Sequence, residues 1–285
     1  MRTTTDRLRS GALAIWSALA LIYLFIPIAL IVLFSFNDNR GRFNFTWQGF
    51  TLRHWEHPLA DADLTTALTN SLEIAVITTV IATVLGTLLA VALTRYRFWG
   101  RGAADLFVFL PMATPEVVLG ASLLGLFLVA NVGTGFVTIV IAHVMFCVSY
   151  VVVTVKTRLD GMDPHIEEAA RDLGATELRT FLRVTLPRIL PGVAAAALLA
   201  AALSIDDYVV TSFNAGQTQT FPLYIFGATR QGVPAEVNVL ATLLLLVILA
   251  LMALNLVAQR VGARRERGGE DVVLPPAPVG APAAA

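Results

Sequence analysis

The sequence predicts an all-α polytopic membrane protein: six transmembrane helices and one structured cytoplasmic loop. Three observations carry that reading. Of the 285 residues, 56% are hydrophobic and 14% charged, with a mean hydropathy of +0.74, too apolar for a soluble domain around one core. Apolar runs of about 19 residues or more, the length that spans a bilayer core as a helix, recur six times. Arginine and lysine fall in alternate connections between those runs, as the positive-inside rule requires. The formal net charge of zero excludes a global basic field for nucleic acid. The single cysteine, Cys147, excludes a disulfide framework or a cysteine-based metal site within the chain, and reads as a small buried hydrophobe.

Residues 1–12 form a basic N-terminus with Arg2, Arg7 and Arg9. The first span, Leu13–Phe36, is longer than the roughly 7 to 15 apolar residues of a signal core and lacks a small-x-small cleavage site before Asn37, so it reads as a retained helix. Residues 37–70 form an outer loop whose aromatics, Phe43, Phe45, Trp47, Phe50 and Trp55, suit a folded cap or an interfacial belt. The second span, Ser71–Leu93, carries Ala82, Gly86 and Ala90 every fourth residue, a small-residue stripe that lets helices approach closely. The remaining spans are Asp105–Val129, Gly135–Val155, Pro191–Phe213 and Val237–Ala258, which completes a transmembrane domain over residues 13–260. Residues 261–285 form a tail that ends Pro/Gly/Ala-rich without helical period, an expectation of disorder.

Charge placement orients the bundle. With the N-terminus inside, inner segments hold Arg2, Arg7, Arg9, Arg95, Arg97, Arg101, Lys156, Arg158, Arg171, Arg179, Arg183, Arg188, Arg260, Arg264, Arg265 and Arg267, against Arg40, Arg42, Arg53 and Arg230 outside. Both termini and the loop 156–190 are therefore expected in the cytoplasm.

That loop has structure written into it. Asp163-Pro164 is a helix start, an N-cap acceptor followed by a residue with no N–H to leave unpaired. Ile166, Ala169, Ala170 and Leu173 then share one face, and Gly174 suits the left-handed conformation that ends a helix. Thr176 caps a second helix with Leu178, Phe181, Leu182, Thr185 and Leu186 on one stripe. By pattern alone, such a pair serves equally to lie on a membrane surface, satisfied by lipid, or to dock on a soluble partner.

The stretch EAARDLGATELRTFLRVTLP resembles the EAA signature of the membrane subunits of binding-protein-dependent ABC importers. Glu168, Ala169, Ala170, Gly174, Leu186 and Pro187 match, and Val184 stands where that pattern usually has isoleucine. The resemblance extends from about Tyr23 to Ala258 and narrows to the PotC-type spermidine/putrescine permease family through SFNDNRGRFNFTWQGF, PEVVLGASLL, AHVMFCVSYVVVTVKTRLDG, LSIDDYVVTSF and GVPAEVNVLAT. It implies the ABC importer permease fold, with the loop as a coupling helix that docks on an ATPase through the six matching residues. It further implies an ATP-binding cassette ATPase dimer that carries ATP and Mg, a second homologous permease, an extracytoplasmic solute-binding protein, and a place in a bacterial inner membrane. The chain itself has no G-x-x-x-x-G-K-[ST] phosphate loop, and its only lysine is Lys156, so no enzyme activity and no cofactor are expected of it.

Ionisable residues inside spans are costly and usually face a protein-lined or water-lined interior. Here they are Glu73, Glu116, His143, Asp206 and Asp207, with no Lys or Arg among them. Glu116 falls roughly 16 Å from the inner end of its span and Asp206 roughly 22 Å along its own. A route lined by carboxylates suits a cation, and a polyamine combines ammonium groups with a stem that packs on aromatic rings. Trp47, Glu116, Ser204, Asp206, Asp207 and Tyr208 are the expected route. Glu73, one turn into its span, reads as a match to the helix dipole, His143 as a hydrogen-bonded bundle residue, and Asp206 and Asp207 alternatively as a tie to Arg230. The rival functions are the same machinery for a ferric ion, an aminophosphonate or an opine, an ion-coupled secondary carrier using the same acids, and a membrane scaffold.

Overall fold

A computed structural model of the chain describes residues 4–39, 41 and 43–270. Residues 1–3 of the basic start, Arg40, Arg42 and residues 271–285 of the tail lie outside the described residues.

The described chain is helical, with one isolated antiparallel bridge, Asn37 to Phe50. The long helices are α1 (Thr4–Phe34), α3 (Ala62–Arg95), α6 (Phe136–Asp160), α9 (Leu186–Asp206) and α12 (Ala235–Glu270), joined by α2 (Arg53–Glu56), α4 (Arg101–Ala113), α5 (Glu116–Val129), α7 (His165–Asp172), α8 (Glu177–Thr180), α10 (Val209–Asn214) and α11 (Phe221–Gln231). A π-helical turn, Phe181–Thr185, leads from α8 into α9. Five stretches are long and apolar enough to cross a membrane, and six when α4 and α5 are counted as one broken span.

Two expected spans are interrupted. The third bends by 109° between α4 and α5, because Thr114 precedes Pro115: the proline ring crowds the residue before it out of the helical region, and Thr114 is extended at ψ 132°. The fifth stops at Asp206, since Asp207 is extended at ψ 119°, and resumes as α10. Three further corrections concern boundaries. α3 begins at Ala62, so Glu73 lies some three turns inside the helix rather than one, and the dipole account of it fails. α12 runs to Glu270 without a break, so the first part of the tail is helix rather than disordered. α11, between the fifth and sixth spans, has too few apolar residues in sequence to register as a span.

α3, α6 and α9 form the packed centre, with Ala82, Ala90 and Leu93 against Cys147, Val151, Val155 and Leu159, and Ile189, Ala196 and Ala200 closing the third side. The small-residue stripe sits at that contact. A methyl group on Gly86 would lie 2.6 Å from Val151 Cγ1 and 3.2 Å from the Val148 carbonyl, so only glycine lets α3 and α6 come this close. The segment between α1 and α3 is a folded cap. The buried Asn37 donates from Nδ2 to Asn44 Oδ1 at 2.7 Å and to the Thr46 carbonyl at 2.8 Å, and its Oδ1 accepts from the Gln48 amide at 2.7 Å. Phe36 stacks between Phe50 and Trp55, with centroids 5.6 and 5.0 Å away.

Gly86→Ala should destabilise the protein by about 1–3 kcal/mol through overpacking. Gly125→Ala, whose added methyl meets nothing within 4 Å, should leave the thermal unfolding midpoint unchanged or higher. Equal losses at both positions would contradict a close α3–α6 contact.

Candidate functional site

Both helix breaks open on one cavity of about 560 Å3. It is lined by the end of α4 and start of α5 (Pro111 to Glu116, Leu119), by Phe146 and Tyr150 of α6, and by Leu203 and Asp206 to Val210 around the second break. Three lining side chains carry charge, Glu116, Asp206 and Asp207, and none of the lining residues is Lys or Arg. A helix stopped inside a span ends in unpaired carbonyls with partial negative charge. The C-terminal ends of α4 and α9 both lie in the wall of this cavity.

The carboxylates are not equivalent. Asp207 caps α10: its Oδ2 accepts from the Thr211 amide and the Thr211 hydroxyl, each at 2.7 Å, and its Oδ1 from the Val210 amide at 3.4 Å. His143 Nε2 lies 3.3 Å from the same Oδ2, and the Asp207 side chain is only 7% exposed. Glu116 and Asp206 are exposed to the cavity and have no ion-pair partner among the described residues. Asp207 therefore spends its acceptor capacity inside the fold, and the other two keep theirs.

Of the six residues expected along the route, the structure gathers Glu116, Asp206, Asp207 and Tyr208 around this cavity. Ser204 is buried just behind it, 2.8 Å from His143 Nδ1. Trp47 is placed elsewhere: it belongs to the cap, edge-on to Phe34 with centroids 6.5 Å apart, and is not a lining residue. The tie to Arg230 does not form, for that guanidinium lies over the Phe226 ring, 5.6 Å from its centroid, and Phe226 in turn packs on Tyr208 at 4.5 Å. His143 is a hydrogen-bonded bundle residue, as its type suggested, with Thr211 Oγ1 at 2.9 Å from Nε2. Phe146 and Tyr150, which complete the wall, were missed. They lie on α6 three and seven residues after His143, an amphipathic signal hidden in a helix apolar all round.

The second site is the loop after α6. α7 ends in a Schellman motif: the Ala175 amide donates to the Ala170 carbonyl at 3.1 Å and the Gly174 amide to the Arg171 carbonyl at 2.9 Å, with Gly174 at φ +84°. Thr176 caps α8 through the Arg179 amide at 3.4 Å. Two apolar side chains at the junction of α7 and α8 are turned outward, Leu173 90% and Leu178 68% exposed. Glu168 and Ala169 are also exposed, and Glu168 meets His165 Nδ1 at 3.0 Å, which raises the exposed imidazole's pKa above its ordinary 6.5. The buried acid is its neighbour Glu167, which the motif does not single out. Its Oε2 lies 3.0 Å from Arg95 Nε at the end of α3, and its Oε1 accepts from the Thr185 hydroxyl at 2.8 Å. Tyr96 donates to Glu177 Oε2 at 2.8 Å, which raises the phenol's pKa. The loop is thus fastened to α3 and to the start of α9, while its motif residues Glu168, Ala169 and Gly174 stay accessible.

A family model described as "Binding-protein-dependent transport system inner membrane component" matches residues 58–268. The chain is 41% identical over 234 residues to the spermidine/putrescine transport system permease protein PotC of Haemophilus influenzae, covering 82% of this chain and 90% of that one. It is 39% identical over 235 residues to the putrescine transport system permease protein PotI of Escherichia coli, covering 80% and 83%. In fold it is similar to a chain of a bacterial ABC transporter involved in the import of the acidic polysaccharide alginate, with a TM-score of 0.63 at 18% identity over 91% of this chain and 98% of that one.

Glu167→Gln should cost about 1–3 kcal/mol by leaving the Arg95 guanidinium without its charge partner, whereas Glu168→Gln, at an exposed pair, should leave the stability unchanged. Thermal unfolding of the two variants in detergent decides it. A larger loss for Glu168→Gln would contradict the assignment of Glu167 as the fastening residue.

Proposed function

Because this chain belongs to the family of binding-protein-dependent transport system inner membrane components, we propose that it is the permease subunit through which an ATP-driven importer passes a polyamine by alternating access. The observation that carries this reading is the cavity, whose charged groups are all carboxylates and whose walls include two helix C-termini. An ammonium 4 Å from a carboxylate gains roughly 4 kcal/mol at an effective dielectric of 20, so Glu116 and Asp206 together favour a solute with amines spaced along a chain. Phe146, Tyr150 and Leu203 offer the methylene stem an apolar wall. The names of the similar permeases, spermidine/putrescine and putrescine, agree with that chemistry.

In this reading the loop around Glu168, Ala169, Ala170 and Gly174 docks on an ATP-binding cassette ATPase, two copies of which carry ATP and Mg. Leu186 and Pro187 carry the thrust into α9. The outward-turned Leu173 and Leu178 supply the apolar contact that such docking needs. A second homologous permease completes the path, and an extracytoplasmic binding protein delivers the solute to the cap that holds Trp47. Arginine placement supports a cytoplasmic position for both termini and the loop.

Two predictions follow from the two ends of the path. In proteoliposomes holding the complete transporter, Glu116→Gln and Asp206→Asn should each lower the maximal rate of labelled spermidine uptake by about tenfold or more, the loss of one ammonium–carboxylate contact. Unchanged uptake in both variants would refute the carboxylate path. Gly174→Val, which forces a β-branched residue to φ +84°, should leave the transporter assembled while uptake falls relative to ATP hydrolysis by several-fold. A preserved ratio of solute moved to ATP hydrolysed would count against docking at this turn.

A further inference from the structure

His143 has no task in the transport reading, yet it is 1% exposed and hydrogen-bonded at both ring nitrogens. Its partners lie on either side of the second helix break, Ser204 two residues before Asp206 on α9 and Thr211 at the third position of α10. Donor accounting fixes the Nε2 side of the ring. Thr211 has one hydroxyl hydrogen, and it goes to Asp207 Oδ2 at 2.7 Å. Towards the imidazole, therefore, Thr211 Oγ1 is an acceptor, and the proton between them belongs to His143 Nε2. On the other side of the ring Nδ1 lies 2.8 Å from the Ser204 hydroxyl, which can serve as donor or acceptor to it. The hydrogen bonds form one chain, Ser204 to the ring, the ring to Thr211, and Thr211 to Asp207. A single rigid group on α6 thus joins the end of α9 to the cap of α10.

We propose that His143 is a positioning residue for the solute path, a reading that rests on the carboxylate cavity proposed above. It holds the turn at Asp206-Asp207 so that Asp207 stays committed to α10 and Asp206 stays turned to the cavity. The contact that sets the turn is the one through Nε2, because only that nitrogen reaches the Thr211–Asp207 cap. Ser204 orients the ring and does not touch the solute, which explains why it is buried behind the cavity wall.

The two nitrogens can be separated by substitution. In His143→Gln the side-chain amide reaches the place of Nε2 and can donate to Thr211, whereas in His143→Asn it reaches only the place of Nδ1. Uptake of labelled spermidine by the complete transporter in proteoliposomes, with binding protein present, gives the readout. A fault in the path slows passage of the solute and so falls on the maximal rate. His143→Gln should keep that rate within about threefold, while His143→Asn and His143→Ala should lower it about tenfold or more, as a buried donor or acceptor left unpaired does. Half-saturation and the yield of assembled complex should not change. Adding Asp207→Asn to His143→Ala should cost less than about twofold more, because both act through one connection. Equal losses in the Gln and Asn variants, or losses that track the yield of complex, would reduce His143 to packing and overturn the proposal, as would full additivity with Asp207→Asn. Normal uptake by Glu116→Gln and Asp206→Asn would instead remove the carboxylate path beneath it, an outcome read from variants that leave His143 intact.

Discussion

A helix that stops inside a bilayer must have its loose backbone groups satisfied by protein or by enclosed water, because lipid supplies neither donor nor acceptor. This chain stops two helices, at Thr114-Pro115 and at Asp207-Tyr208, and brings both breaks to the same cavity. The rest of the arrangement answers that demand. Asp207 takes the free amides of α10, and Glu116 stands in the first turn of α5, so both helix N-termini meet an acid. The C-termini of α4 and α9 have no cation beside them among the lining residues. What remains after this pairing is a space with surplus negative character, and a polycationic solute is the complement of it.

The two sites are joined by one element. The stretch Glu177–Asp206 is helical throughout, with a π turn at Phe181–Thr185, and spans roughly 45 Å at 1.5 Å per residue. One end is fastened to the loop by Thr185 and Glu167, and Glu167 is fastened to α3 by Arg95. The other end is Asp206. α9 also packs along α3 and α6 at the centre of the bundle. The loop and the cavity are thus linked by unbroken, packed helix.

Much of this was legible in sequence. Spans are legible because a bilayer asks for length and apolarity, which are local, and the stripe Ala82, Gly86, Ala90 because small residues at helical spacing have one common use. The Gly174 turn was equally plain, since a left-handed position is a property of one residue. Hydropathy does not record direction, so the 109° bend inside the third span was hidden even though Pro115 marked the place. The longer-range pairings were not legible at all. Glu167 and Glu168 are adjacent and identical in type, and only the meeting with Arg95, far back along the chain, tells the buried one from the exposed one. Asp206 and Asp207 are distinguished in the same way, by His143 and Thr211. Trp47 was read as part of the route from its chemistry, whereas its position follows from Phe34 and the Asn37-centred cap.

In the proposed function Glu116 and Asp206 are free to take a cation and Asp207 is not. Carbodiimide labelling of carboxyl groups in the assembled transporter, read by peptide mass spectrometry with and without spermidine, tests it directly. The account predicts that Glu116 and Asp206 are labelled, that spermidine protects both, and that Asp207 labels slowly under either condition. Labelling of Glu116 and Asp206 that spermidine leaves unchanged, or an Asp207 as reactive and as protected as Asp206, would contradict it.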